Sequence, residues 1–242
     1  MTNDQAAPYT EIYAAGDEGF FIRFGDDISP QTHQRIFGCL EILDEKKPEW
    51  LIDAIPSYLS ILVLYDCLKI HADDVRSWIE QTLHQIPKQP VSHRMVEIPV
   101  WYSPDVAPDL EDLAQSKGLS LEAFVDLHTA PEYLVYMLGF KPGFPFLGGL
   151  DPRLWTRRHA APRLEVAAGS VGIGGKQTGI YPVKSPGGWR IVGRTPLRVF
   201  NLPPGARDAA PFRPEICFRI LPGDRVKFFS IDGDAYRELG GK

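Results

Sequence analysis

From Tyr136 to Phe200 the chain reads YMLGFKPGFPFLGGL, then PRLEVAAGSVGIGGKQTGIYP, then SPGGWRIVGRTPLRVF, and no other stretch limits the fold as strongly. Twelve of the 22 glycines lie between Gly139 and Gly193, interleaved with Phe140, Phe144, Phe146, Tyr181 and Trp189. Glycine permits positive φ and close backbone approach, whereas proline fixes φ and removes a donor. The pattern predicts tight turns between short strands, with backbone N–H groups and aromatic faces turned toward something bound.

A chain of 242 residues can bury a full core, as two modest domains or one large β domain. Its 44% hydrophobic and 24% charged residues are those of an ordinary globular protein. No apolar run approaches the roughly 20 residues that span a bilayer, and MTNDQAAPYTE has neither the basic nor the apolar region of a secretory signal. A cytoplasmic location, without membrane contact, is the expectation. Cys39, Cys67 and Cys217 are far apart and odd in number, which suggests neither a disulfide framework nor a zinc site. They are expected as small buried apolar residues.

The net charge of −5 argues against a nucleic-acid partner, yet its distribution is uneven. Residues 1–90 carry 7 Lys/Arg against 15 Asp/Glu, and residues 91–150 carry 3 against 8. Residues 151–201 reverse this with 9 against 2, a local +7. One reading is that basic residues protect exposed strand edges from aggregation. The other is an anionic ligand or acidic partner surface met by Arg157, Arg163, Lys176, Arg190 and Arg194.

In chain order, Gly19–Phe24 alternates as a strand, and Ser29-Pro30 opens a helix with Ile36, Leu40 and Leu43 on one face. Strands follow at Trp50–Ala54 and Tyr58–Leu64, the second apolar enough to be central. A second helix starts near Asp73-Asp74, shows Val75, Trp78, Ile79, Leu83 and Ile86 on one face, and ends before Pro87. With His93–Trp101 as a further strand the order is βαββαβ, a ferredoxin-like arrangement. The boundary is placed in Pro87–Pro90 or just past the following strand, giving domains at 1–90 and 91–242.

Beyond a Pro- and Asp-rich loop, SPDVAPDLED, come short helices at Leu110–Gln115 and, capped by Ser120, up to Leu127. The second delivers His128 to a strand at Glu132–Leu138. Short strands are then expected at Leu164–Ala167, Ser170–Ile173, Gly179–Val183, Trp189–Val192, Leu197–Phe200, Ile216–Leu221 and Val226–Ile231, with a closing helical turn at Asp234–Leu239. The class is α+β to mainly β, the second domain a barrel or sandwich.

Several chemistries fail on spacing. The cluster Gly169–Lys176 is not a phosphate loop, because Ser170 stands where the first glycine belongs and Gln177 follows the lysine where Ser or Thr should bind magnesium. Gln177 also occupies the third glycine position of a dinucleotide fingerprint. There is no HExxH, no GxSxG and no metal-ligand spacing among His33, His71, His84, His93, His128 and His159. No metal site is expected. Most of the histidines read as surface or structural; His128 stands out where a helix meets the strand that leads into the glycine motif.

His128 with Tyr133, GFKPGFPFLGGLDPRL, PRLEVAAGSVGIGGKQTGIYPVKSPGGWRIVGRTP and LPGDRVKF together resemble the 5-oxoprolinase B-subunit family. That family is also named for a kinase-A inhibitor and for allophanate hydrolase subunit 1, and it is similar to part of the urea carboxylase carboxyltransferase domain. The resemblance implies a ferredoxin-like N-terminal domain and a cyclophilin-like β-barrel. It also implies a hydrolase component that cleaves 5-oxoproline to glutamate with ATP, together with a homologous C subunit plus a separate A subunit. ATP with magnesium is then held mainly by a partner, and this chain supplies one wall of a shared site.

On that implication His128 is the candidate catalytic residue, as general acid or base, or else a hydrogen-bonded cap of the barrel. Candidate substrate contacts are Phe140, Phe144, Arg163, Gly174, Gly175, Gln177, Tyr181, Gly187, Gly188, Trp189 and Arg194. Glycine N–H groups would meet oxygen, an arginine would pair with a carboxylate, and aromatics would pack on a flat ring; ordinary barrel core is the alternative for each aromatic. The kinase-inhibitor name implies a second function, a binding module that docks on a sensor histidine kinase, which neighbouring genes would discriminate. A literal allophanate or urea activity ranks below both, since no biotin-carrier lysine motif or amidase serine is present. A prolyl isomerase inferred from the barrel alone ranks last.

Overall fold

The Ser29-Pro30 signal operates as the sequence predicts in the computed structural model, which describes residues 10–86, 94–205 and 214–241. Ser29 Oγ accepts the Thr32 N–H at 3.2 Å and Pro30 occupies the first turn of a 17-residue helix. The chain divides into two units, Met1–Ser92 and His93–Lys242.

In the first unit the elements are β1 (Glu11–Ala14), β2 (Gly19–Arg23), α1 (Pro30–Lys46), β3 (Leu51–Pro56), β4 (Ser60–Tyr65) and α2 (Ala72–Leu83). The strands form one antiparallel sheet in the order β1-β2-β4-β3, so the apolar SILVLY strand is internal. Phe20, Ile22, Ile61, Val63 and Tyr65 alternate onto one face and pack with Ile36, Cys39 and Leu43 of α1 and Val75 and Ile79 of α2. Period 2 on the strands and 3.6 on the helices thus build a single apolar layer.

The βαββαβ reading is corrected at both ends, to ββαββα. Glu11–Ala14 supplies a strand that sequence reading missed, joined to β2 by a short turn with Gly16 at φ 71°. The strand predicted at 93–101 leaves this sheet altogether. It is β5 (Met95–Trp101), whose Ile98 and Val100 are fully buried in the second unit. Cys67 is also corrected: it lies exposed in the turn after β4, whereas Cys39 and Cys217 are buried.

The second unit continues with α3 (Leu110–Ser116), α4 (Leu121–Thr129), β6 (Glu132–Leu138), β7 (Pro145–Gly148), β8 (Arg163–Val166), β9 (Ser170–Gly174), β10 (Gln177–Ile180), β11 (Ser185–Gly187) and β12 (Arg190–Arg194). After them come α5 (Pro214–Cys217), β13 (Arg225–Ile231) and α6 (Gly233–Glu238). Seven strands close a barrel in the order β10-β7-β6-β13-β5-β12-β9, and β8 pairs with β11 outside it. Closure removes the free edges that short strands would otherwise expose. Among the described residues only β5 and β13 run parallel, in register from Met95↔Arg225 to Trp101↔Ile231.

Val100, Leu147, Val171, Ile173, Ile180, Val192, Val226 and Phe228 fill the interior. Two expected strands are corrected. Ile216–Leu221 begins as the helical turn α5, because Pro214 presets the first φ of a helix, and Leu197–Phe200 contributes one isolated bridge, Phe200↔Phe218. No described helix is long and apolar enough to cross a membrane.

Candidate functional site

The Gly-, Pro- and aromatic-rich stretch builds a pocket of about 370 Å³ on the outside of the barrel. Its walls are Phe140, Phe144, Phe146, Tyr181 and Trp189, with Pro162, Pro186, Gly187 and Gly188 between them and Arg158 and His159 alongside. Phe144 directly precedes β7 and meets Tyr181 at 5.1 Å and Trp189 at 5.3 Å, both edge-on. Phe140 lies edge-on to Phe144 at 5.5 Å and Tyr181 at 6.3 Å, with 59% of its surface exposed. Its φ of 60° is left-handed, a conformation that costs energy for a bulky residue and holds this ring at the rim.

Two glycines explain why the aromatics can stand so close to strands. A Cβ at Gly174 would lie 2.6 Å from the Trp189 ring, and one at Gly187 would lie 2.3 Å from the Tyr181 hydroxyl oxygen. Both positions are therefore backing for aromatic walls; Gly187 also lines the pocket, whereas Gly174 does not. Gly175 turns the β9–β10 hairpin and its N–H donates to the Thr156 carbonyl at 2.7 Å.

Beside the pocket lies a charged cluster around Asp109, a residue that sequence reading passed over. An aspartate just before a helix usually caps it, but Asp109 makes no side-chain cap bond to α3. Its carboxylate is almost wholly buried and accepts from Arg163 Nη1 at 2.8 Å, Arg163 Nη2 at 2.7 Å and the Ile191 N–H at 2.7 Å. His159 Nε2 lies 3.0 Å from Oδ1, and Arg190 Nη1 is 3.9 Å from the same atom. Burial works against the charged carboxylate, but hydrogen bonds from Arg163 and Ile191 and the charges of Arg163 and His159 outweigh it, so the carboxyl is held below its ordinary pKa. The hydrogen bond to Asp109 raises the Arg163 guanidinium in turn. Arg163 is thereby committed to Asp109. The cation at the pocket mouth is instead exposed Arg158, 5.6 Å over the Trp189 ring, which the sequence reading did not select.

His128 is placed elsewhere. It lies in the last turn of α4 with no exposed surface, inside the barrel, stacked 5.0 Å from Phe228. Thr178 Oγ1 donates to the Gly172 carbonyl at 3.0 Å, so it accepts from His128 Nε2–H at 3.0 Å. Nδ1 is then left to accept the Tyr102 O–H at 2.8 Å. Burial pushes its pKa down to about 3, keeping the ring neutral. The expectation of a catalytic His128 is corrected on this geometry: both nitrogens are satisfied, and no side of the ring reaches the pocket. It is the hydrogen-bonded barrel element of the two alternatives.

Of the other expected contacts, Phe140, Phe144, Tyr181, Gly187, Gly188 and Trp189 line the pocket, and Arg163 stands behind it through His159. Gln177 and Arg194 do not line it; Arg194 Nε donates to the Ala168 carbonyl at 3.0 Å. Among the described residues no group of three or more His, Cys, Asp or Glu is arranged to hold a metal.

Residues 10–209 match the family described as carboxyltransferase domain, subdomain C and D. The 5-oxoprolinase B subunit of Bacillus subtilis is 38% identical over 242 residues, covering 94% of this chain and 97% of that protein. The chain belongs to the 5-oxoprolinase B-subunit family. Members of related architecture bear on its extent: the crystal structure of TTHA0988 is 39% identical with a TM-score of 0.75, and matches 89% of this chain but 40% of that longer one. The urea carboxylase of Kluyveromyces lactis shares the fold, with a TM-score of 0.74 at 20% identity over 96% of this chain and 22% of that enzyme. The same fold is therefore also built into longer chains.

Proposed function

We propose that this chain is the B subunit of an ATP-dependent 5-oxoprolinase, and that the aromatic pocket is its share of a site completed by a homologous C subunit, with an A subunit in the same complex. The observation that carries this reading is a small, ring-sized pocket with aromatic walls and an arginine at its mouth, in a chain that matches the B subunit of a 5-oxoprolinase almost end to end. A five-membered lactam is flat, apolar on its faces and anionic at its carboxylate. Phe144, Tyr181 and Trp189 offer faces and edges to the ring, and Arg158, which makes no ion pair among the described residues, offers the carboxylate a partner. The same reading takes the closed barrel as cyclophilin-like and the protein as a cytoplasmic member of a hetero-oligomer.

ATP, when bound, would activate the lactam carbonyl. The glycine cluster of this chain does not fit its phosphates, since Gly172 and Gly174 are buried in β9 and the Gly175 N–H is taken by Thr156, so the nucleotide is assigned to a partner protein. The test is co-expression with the A and C subunits, followed by assay of glutamate release from 5-oxoproline and ATP. Trp189→Ala should raise the 5-oxoproline KM at least tenfold while the complex still assembles. An unchanged KM would remove the pocket from the site.

A further inference from the structure

His159 lines the pocket, and its two ring nitrogens differ in circumstance. Nδ1 has no hydrogen-bond partner among the described residues, so it is the nitrogen left for a ligand. Nε2 lies 3.0 Å from Asp109 Oδ1 and 2.9 Å from Arg163 Nη1. With a proton on Nε2 the ring donates to the carboxylate but crowds an arginine N–H. Without one, Nε2 accepts that N–H but faces a carboxylate oxygen. Each neutral tautomer has one good and one poor contact at the same atom, so neither is locked, unlike the ring of His128.

Asp109 itself cannot swing away. It is fixed by both Arg163 nitrogens and by the Ile191 N–H. The His159 backbone is tied as well, its N–H donating to the Gly188 carbonyl at 2.7 Å. A ring nitrogen with a free lone pair, on a ring held by a fixed buried carboxylate, is the arrangement a general base requires.

We propose that His159 is the proton-transfer residue of this pocket, acting through Nδ1, with Asp109 and Arg163 as its positioning residues. The proposal rests on the reading that the pocket holds the lactam. In the Nε2–H tautomer, with the lactam carbonyl already activated at the expense of ATP, Nδ1 takes a proton from water as the water oxygen bonds to the carbonyl carbon and the π pair leaves that carbon. The ring C–N bond then breaks with its electron pair remaining on nitrogen, and that nitrogen takes the proton back from Nδ1. His159 ends as it began, and water has been added across the activated amide bond. Besides Asp109 and Arg163, the charged or titratable groups around it are Arg190, 3.9 Å from Asp109, Arg158 over Trp189, and Tyr181, whose phenol is raised by burial.

The experiment is steady-state glutamate release by the reconstituted complex, with its A, B and C subunits present, measured across pH at saturating ATP. His159→Gln should lower kcat by roughly a hundredfold and abolish the acid limb of the pH profile, with the 5-oxoproline KM within about threefold of the parent. Asp109→Asn should lower kcat and displace that limb, the signature of a positioning residue. Because Asp109→Asn also perturbs a buried ion pair, ¹⁵N-histidine NMR of the full chain is a second readout: His159 should populate the Nε2–H tautomer, and a ring locked as Nδ1–H, which has no lone pair on Nδ1, contradicts the proposal. Full kcat in His159→Gln at every pH overturns the proposal while leaving the pocket in place. An unchanged KM in Trp189→Ala overturns the pocket reading, and this proposal with it.

Discussion

His128 and His159 belong to the same unit, and each sits within hydrogen-bond distance of two polar partners, yet they are opposite kinds of residue. His128 is sealed among Tyr102, Thr178, Tyr133 and Phe228, with one tautomer dictated by the Thr178–Gly172 bond and a pKa pushed down to about 3. His159 is part-exposed at a pocket wall, with one nitrogen shared between a carboxylate and a guanidinium and the other without a hydrogen bond among the described residues. Saturation of hydrogen bonds makes the first a building element. Incomplete saturation makes the second available for chemistry.

The largest test of this contrast is to empty the sealed site. His128→Ala leaves a cavity and orphans the Tyr102 and Thr178 hydroxyls, and should cost about 4 kcal/mol in urea unfolding. The sealed site also carries a pH signature. An unfolded chain protonates this histidine below about pH 6.5 while the folded one refuses the proton down to about 3, so stability is full above 6.5 and falls by about 1.4 kcal/mol per unit as pH drops through that window. His128→Gln should flatten that slope; a slope that persists would show that other groups cause it.

Next in size is Asp109→Ala, which leaves Arg163 and Arg190 facing each other. The expected loss is about 3 kcal/mol, at the low end of the range for a broken buried pair because roughly a third of the Arg163 side chain reaches solvent. Strand β9 backs both regions, through the Gly172 carbonyl on one side and Gly174 beneath Trp189 on the other. Gly174→Ala, with its Cβ at 2.6 Å from that ring, should cost about 2 kcal/mol and weaken 5-oxoproline binding without moving the His128 slope. The smallest effect on stability belongs to Arg158→Ala, within about 0.5 kcal/mol by thermal melting, yet it should raise the 5-oxoproline KM about tenfold. A changed melt with an unchanged KM would make Arg158 a packing residue.

The sequence made the helices, the internal strand of the first sheet and most barrel strands legible, because period and caps are local. Ser29-Pro30 and Ser120 acted as read. The assignment of Met95–Trp101 to the first sheet failed because periodicity identifies a strand and not its partner, and β5 pairs with a strand some 130 residues away. The pocket aromatics were legible from their interleaving with glycine. Asp109 and His159 were not, since they are 50 residues apart and meet only because the β8–β11 pairing places Arg163, and β12 the Ile191 N–H, around the Asp109 carboxylate. The local neighbourhood of His128 pointed to a site, and only its buried hydrogen bonds reveal why it is none.

The most direct test sets the two histidines side by side, as His128→Gln and His159→Gln in the reconstituted complex, with glutamate release measured at a temperature where both are folded. His128→Gln should keep kcat within about threefold of the parent, and His159→Gln should lose roughly a hundredfold. The reverse order, with His128→Gln inactive and His159→Gln unimpaired, would contradict this assignment of roles.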